Sequence, residues 1–247
     1  MAKIGFDEIL KRVTVDSKDD GERFLVRERI DAIMELLSGS EYTLQAEGNL
    51  FLLYSKKPLV DRDIVLVSSH IDCVYSRCFC EEEGEFYKGT FDNSITNAAV
   101  VYDMLEGRFG DDVVIAFTGD EEKDSRGAYE VMQSLCDRNC YIKFAAVTDA
   151  TQEAWEEGCP FTIENDLGVD LIMAHRIIES LKKYWNRFVL IHDAEPDESW
   201  DYSGKDVPVL TLCAPVSGAL HSNEGMLVRK AAMPVYCEAL AAIVNCI

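Results

Sequence analysis

Basic residues are scarce. Lys and Arg number 24 against 45 Asp and Glu in 247 residues, a formal net charge of −21 with histidine neutral. Such a surface repels phosphates and anionic headgroups, which sets nucleic-acid and membrane-surface partners aside. It leaves cationic ligands and metal ions, which carboxylates bind well. Long hydrophobic runs are missing too: no uncharged apolar stretch approaches the ~18 residues of a membrane span. The opening residues, Met1 to Glu8, hold no apolar segment of the kind a secretory leader shows. Repeats, low-complexity tracts and Pro/Gly/Ser-rich linkers are absent as well. Cysteine is plentiful, but nine is an odd count in a chain that is 48% hydrophobic and so able to build a core without bridges. The expectation is unpaired thiols and a reducing, cytoplasmic setting. The cluster Cys73, Cys78 and Cys80 lacks a second Cys or His pair at zinc-finger spacing and reads as unligated thiols.

What is present is an alternation of strand and helix signals. Phe24, Ile30, Ile33, Met34 and Leu37 recur at helical spacing over residues 22–38, which Gly39 ends. Strand-like runs at 42–46 and 50–54 flank the turn-forming Gly48-Asn49. Strands are expected at 63–70, 112–118, 143–148, 187–191 and 207–213, and helices at 94–106, 126–136, 168–184 and 224–246. Continuous apolar runs such as Ile64-Val65-Leu66-Val67 and Val113 to Phe117 suit strands covered on both faces. The fold class is therefore α/β: a three-layer sandwich with a mostly parallel central sheet, helices on both faces and an antiparallel hairpin at one edge. Residues 1–247 are read as one domain with no inserted lid or dimerisation module.

Ligands of open α/β sheets bind at the carboxyl ends of the strands. Those ends carry His70-Ile71-Asp72, Asp120-Glu121-Glu122 and Asp149, and His221 follows the last strand. Asp92 precedes a helix in Phe91-Asp92-Asn93-Ser94. Any one of these acids reads as a helix cap or solvated turn. Two imidazoles and several carboxylates converging on one sheet edge suit one or two borderline cations such as zinc, manganese or cobalt. Asp72 lies two residues past His70, on the same side of an extended strand end, and so can orient its ring.

The set resembles the co-catalytic zinc exopeptidases, the superfamily of bacterial leucyl aminopeptidases, tetrahedral aminopeptidases and dimeric carboxypeptidase/deacylase enzymes. The matching pieces are His70-Ile71-Asp72, Asp92-Asn93, Glu121-Glu122 with Arg126-Gly127-Ala128, Asp149, and His221-Ser222-Asn223-Glu224, in the family's order. The resemblance implies a zinc-exopeptidase-like fold of the compact branch. It also implies two divalent ions, zinc or else cobalt or manganese, bridged by Asp92. One would be completed by His70 and Asp149, the other by Glu122 and His221. Glu121 would be the general base toward a water bridging both ions, Asp72 would orient His70, and the Asp92–Asn93 peptide bond would be cis. Asp201 would support the site, and Tyr202 is the candidate oxyanion donor. Where relatives carry a small residue two or three positions after the Asp-Asn pair, this chain has Ile95-Thr96-Asn97, bulk that would press on the metal-binding loop or change the pocket.

The activity so implied is that of a metal-dependent exopeptidase, foremost an aminopeptidase acting on short peptides. An N-acyl amino acid deacylase or carboxypeptidase would use the same metals and need a cation for the substrate carboxylate, with Arg77, Lys88 and Arg126 as candidates. A third reading is a catalytically inactive, metal-stabilised binding protein. His175 reads as structural or surface and His192 as a hydrogen-bonded loop residue or else a pocket residue, while Phe161, Trp155 and Trp200 are candidates for a specificity pocket or for core.

Overall fold

The computed structural model describes residues 4–15, 26–192 and 194–247. Two short helices come first, α1 (Phe6–Val13) and α2 (Arg27–Leu37). The expected start of the second, with Phe24, lies outside the described residues. The hairpin follows as expected, β1 (Thr43–Glu47) and β2 (Phe51–Ser55), antiparallel at one edge. The chain continues through β3 (Arg62–His70), β4 (Cys80–Glu83), β5 (Phe86–Gly89) and α3 (Ser94–Leu105). Next come β6 (Val113–Thr118), α4 (Arg126–Cys136), β7 (Cys140–Thr151) and β8 (Phe161–Leu167). Then follow α5 (Leu171–Ser180), β9 (Phe188–Ile191), α6 (Ser199–Ser203) and β10 (Val209–Pro215). β11 (Met226–Arg229) and α7 (Met233–Asn245) come last.

Eight strands form one sheet in the order β1-β2-β6-β3-β7-β10-β8-β9. The central four, β6, β3, β7 and β10, are parallel. β8 runs antiparallel to β10 and carries β9 with it, so the sheet is mixed at both edges and not only at the hairpin. Successive side chains of a strand point to opposite faces, and β3 shows the result. Val65 and Val67 enter the larger core beneath α1, α2, α3 and α7, while Ile64 and Leu66 enter the core under α4 and α6. Burial on both faces is why these strands read as unbroken apolar runs. Each such side chain is worth about 1.5–3 kcal/mol when fully buried.

The helix expected over 224–246 begins only at Met233, and the first part of that stretch holds a four-residue strand, Met226–Arg229. Met226 and Val228 are buried while Leu227 and Arg229 are half-exposed, a period of two, and this segment pairs with β5. Pro234 in the first turn of α7 marks where the helix begins. β11, β5 and β4 make a separate three-stranded sheet. An isolated bridge between Ser217 and Leu227 ties the return from β10 to it and so encloses the 218–226 loop that carries His221.

Candidate metal centre

The carboxyl ends of β3, β6, β7 and β10 and the start of α3 supply the residues that the sequence singled out. His70 closes β3, Asp149 sits near the end of β7 beside Cys213 of β10, and Asp92 precedes α3. Glu121 and Glu122 follow β6 through a tight reversal. Asp120 is buried, takes a left-handed φ of 66°, and accepts from the amides of Asp124 and Ser125 and from Arg126 Nε. An aspartate tolerates that conformation better than most residues. Gly127 opens the way for α4 to press on this turn, since a Cβ there would lie 2.5 Å from Gly119 O and 2.7 Å from Leu50 O. Its amide donates to Gly119 O instead.

Asp92 stands between the two imidazoles. Its Oδ1 is 3.2 Å from His70 Nε2 and its Oδ2 3.1 Å from His221 Nε2. Asp149 Oδ1 lies 3.4 Å and Glu121 Oε2 3.9 Å from His70 Nε2, while Glu122 Oε2 is 3.2 Å from His221 Nε2. Three sets of ligand atoms therefore fall within 4.8 Å of one another: His70/Asp92/Asp149, His70/Glu121/Glu122 and Asp92/Glu122/His221. On the far side of its ring, His70 Nδ1 donates to Asp72 Oδ1 at 3.1 Å, and Asp72 Oδ2 accepts from the amide of Glu122. That leaves Nε2 of His70 turned to the cluster. The Asp92–Asn93 peptide bond is cis.

Packing so many carboxylates together distorts their titration. Burial, and then the charges of Asp149, Glu122 and Asp72, push Glu121 up to about 9 despite the opposing pull of His70. Asp149 rises to about 7 through burial and the charges of Asp92 and Asp197. Burial would lower His70, but Glu121, Asp149, Asp72 and Asp92 hold it well above its ordinary value. Hydrogen bonds to Asp92 and Glu122 raise His221 to about 10. Burial works to raise Asp92, yet the two imidazoles win and hold it low. Protons here stand where cations would serve, and Glu122 Oε1 is buried without a hydrogen-bond partner among the described residues.

The cluster forms one wall of a cleft of about 640 Å³. Glu153, Glu164, Glu195 and Asp197 also line it, with Lys123 and His221 as its basic side chains. Of the proposed carboxylate anchors, Lys88 faces Glu83 and Arg126 is bound to Asp120, and neither they nor Arg77 line the cleft. Tyr202 is fully buried beneath the sheet, where its hydroxyl meets Ser68 Oγ at 2.9 Å, so the structure does not bring it to the cleft. Asp201 is half-buried on α6 and faces Ser125. His175 and His192 are exposed. Phe161 stacks on Phe188 in the core, Trp155 lies under the Arg229 guanidinium, and Trp200 is 52% exposed.

Several contributors carry no local sequence signal. Glu198 is buried with its carboxyl raised to about 7 by burial, and it accepts from Ser68 Oγ at 2.5 Å, two residues before His70. Tyr75 receives the amide of Asp92 on its hydroxyl. Asn93 and Asn97, one helical turn apart, clamp the strand ends: Asn93 Nδ2 donates to Thr148 O, and Asn97 Nδ2 to His70 O and Ser69 Oγ. Ile95 faces the larger core, and Thr96 bonds Asn93 and Thr148. The bulk after Asp92-Asn93 is thus absorbed by core and strand ends. The four-residue spacing of the asparagines was the available clue.

No family model and no curated protein matches the chain. Solved structures do. A TET aminopeptidase from a marine sediment archaeon of the Thaumarchaeota is 11% identical, with 97% of this chain and 96% of that one covered and a TM-score of 0.75. The TET1 peptidase of Pyrococcus horikoshii is 12% identical, with 97% and 99% covered and a TM-score of 0.70. An endoglucanase of Thermotoga maritima is 13% identical, with 96% of each chain covered and a TM-score of 0.65. At such identities the likeness is one of fold, and one fold hosts many reactions. This chain has the mixed α/β fold of the TET aminopeptidases.

Proposed function

We propose that the protein is a metal-dependent exopeptidase, an aminopeptidase that releases the N-terminal residue of short peptides, with its described residues forming one catalytic domain. The observation that carries this reading is Asp92 between His70 and His221, one carboxylate oxygen to each, with Asp149 and Glu122 completing the two sides. Two imidazoles and three carboxylates are a donor set for two divalent ions, zinc first and cobalt or manganese next. His70, Asp92 and Asp149 would hold one ion, and Asp92, Glu122 and His221 the other. Bound there, the ions supply Lewis-acid polarisation of the scissile carbonyl and acidify the water nucleophile.

The side chains do the rest. Glu121, ligand to neither set, takes the water proton on its carboxylate and returns it to the leaving amine. Asp72 holds the His70 tautomer through Nδ1. The carboxylates lining the cleft attract an ammonium group, whereas a carboxypeptidase or deacylase needs a cation at the substrate carboxylate. Lys123 is the lining residue that favours that second reading. The odd count of nine cysteines supports a cytoplasmic setting, and among the described residues no helix is long and apolar enough to cross a membrane.

The test is hydrolysis of aminoacyl-aminomethylcoumarins against their N-acetyl counterparts by zinc-loaded protein, with Glu121→Gln alongside. Cleavage of free-amine substrates, lost in Glu121→Gln with zinc content unchanged, is the expected result. Preference for blocked substrates selects the deacylase or carboxypeptidase reading. Zinc bound without turnover of either class refutes the enzyme and leaves a metal-stabilised binding protein.

A further inference from the structure

We propose that Cys73 and Cys78 are a redox-modification site, oxidised by hydrogen peroxide to a disulfide that contracts the loop beside the metal centre and slows turnover. The two sulfurs lie 3.9 Å apart, already in contact, on a loop that runs from the end of β3 to the start of β4. A disulfide needs about 2.0 Å between them, so closing the ring shortens this loop. Both ends of the consequence are visible. Cys73 follows Asp72, which orients His70 and receives the amide of Glu122. Tyr75, inside the ring, receives the amide of Asp92. Ser76 donates from its amide and hydroxyl to Asn223 Oδ1, two residues past His221. Contraction of residues 73–78 thus bears on both halves of the centre.

A second feature prepares the pair for oxidation. Arg29 is wholly buried, its Nε on Val13 O and its Nη1 on the carbonyls of Ile71 and Asp72. Its Nη2 has no hydrogen-bond partner among the described residues. A hydrogen bond from Cys78 draws the Cys73 thiol down to about 6, and the Arg29 charge adds to the pull against burial. The Cys78 thiol is raised by the same hydrogen bond and by burial, so it is the donor. Thiolate and thiol are then nucleophile and resolving group.

The Cys73 thiolate sulfur bonds to one peroxide oxygen as the O–O bond breaks, and the departing hydroxide takes a proton to become water. The Cys78 sulfur then attacks the sulfenic sulfur, the S–O bond breaks, and a second water leaves with the thiol proton. Two thiols and one hydrogen peroxide give one disulfide and two waters. Cys73 is only 2% exposed, which admits a small neutral oxidant and excludes glutathione disulfide, an anion that the −21 net charge also repels.

The experiment treats reduced full-length protein with hydrogen peroxide and maps its peptides by mass spectrometry. Expected are a loss of about 2 Da, a single Cys73–Cys78 cross-link, and dimedone-trapped sulfenic acid on Cys73 in Cys78→Ser. Cys80→Ser is expected to behave as the unmodified protein. Oxidation is expected to weaken zinc binding and lower kcat/KM by about tenfold or more, as orienting partners of metal ligands do when lost, with dithiothreitol restoring both. The effect on turnover rests on the exopeptidase reading, while cross-linking and zinc affinity do not and remain decisive if no peptide is cleaved. Absence of the cross-link overturns the proposal, and so does a cross-linked protein with unchanged zinc affinity.

Discussion

Loading the centre with metal should expel protons, and the number follows from the site. Without cations, His221 titrates near 10 and Glu121 near 9, and His70 is held well above its ordinary range. At pH 8 His221 and Glu121 therefore carry protons, and His70 is shifted in the same direction. Ligation needs neutral imidazoles, and a general base needs a free carboxylate, so filling the site at pH 8 should release about two to three protons per chain. Near pH 7 the release should grow slightly, because Asp149 titrates there and is half protonated. The sign is fixed by these directions: every one of these groups is raised, so metal competes with protons and affinity climbs with pH. Each displaced proton steepens apparent affinity by about tenfold per pH unit. Zinc titration calorimetry in two buffers of different ionisation enthalpy reads the count directly. A release below about half a proton at pH 8 would refute the coupled His/carboxylate arrangement.

Glu121→Gln should lower kcat by about 10²–10⁴-fold, the usual worth of general acid–base catalysis, while zinc content measured by plasma emission stays the same. Asp72→Ala should weaken zinc binding by about 10–100-fold, since it frees the His70 ring and strips the Glu122 amide of its acceptor; equal affinity would dismiss Asp72 as the orienting group. Gly127→Ala drives a methyl into the Gly119 and Leu50 backbones and should destabilise by about 1–3 kcal/mol in urea unfolding. Protein stripped with a chelator should lose stability as pH rises from 6 to 9. The folded state then holds protons on Glu121, Asp149 and the imidazoles that the unfolded chain has already released. A melting temperature that rises over this range would contradict the raised carboxyls.

The strands buried on both faces, the hairpin around Gly48-Asn49 and the helix 126–136 were legible because each rests on local pattern: unbroken apolar runs, turn residues, spacing of 3.6. β8 escaped for a physical reason. Phe161-Thr162-Ile163-Glu164 alternates over only four residues before Asn165-Asp166, at the lower limit of a legible strand, and Glu164 is buried because it lines the cleft. The helical reading of 224–229 failed because pairing with β5, remote in sequence, decides that segment.

The chemistry divides along the same line. Residue identity alone settled which atoms can ligate: His70, Asp92, Glu121, Glu122, Asp149 and His221 are the imidazoles and carboxylates of one sheet edge. Distance lay beyond it. Only the tertiary structure, through Asn93 and Asn97 clamping β3 and β7, sets Asp92 between two imidazoles. Only it buries Glu198 under Ser68, retires Tyr202 to the core and lays Arg29 beside Cys73. These are contacts between segments far apart in the chain, fixed by sheet order and packing, and no local pattern of residues encodes them.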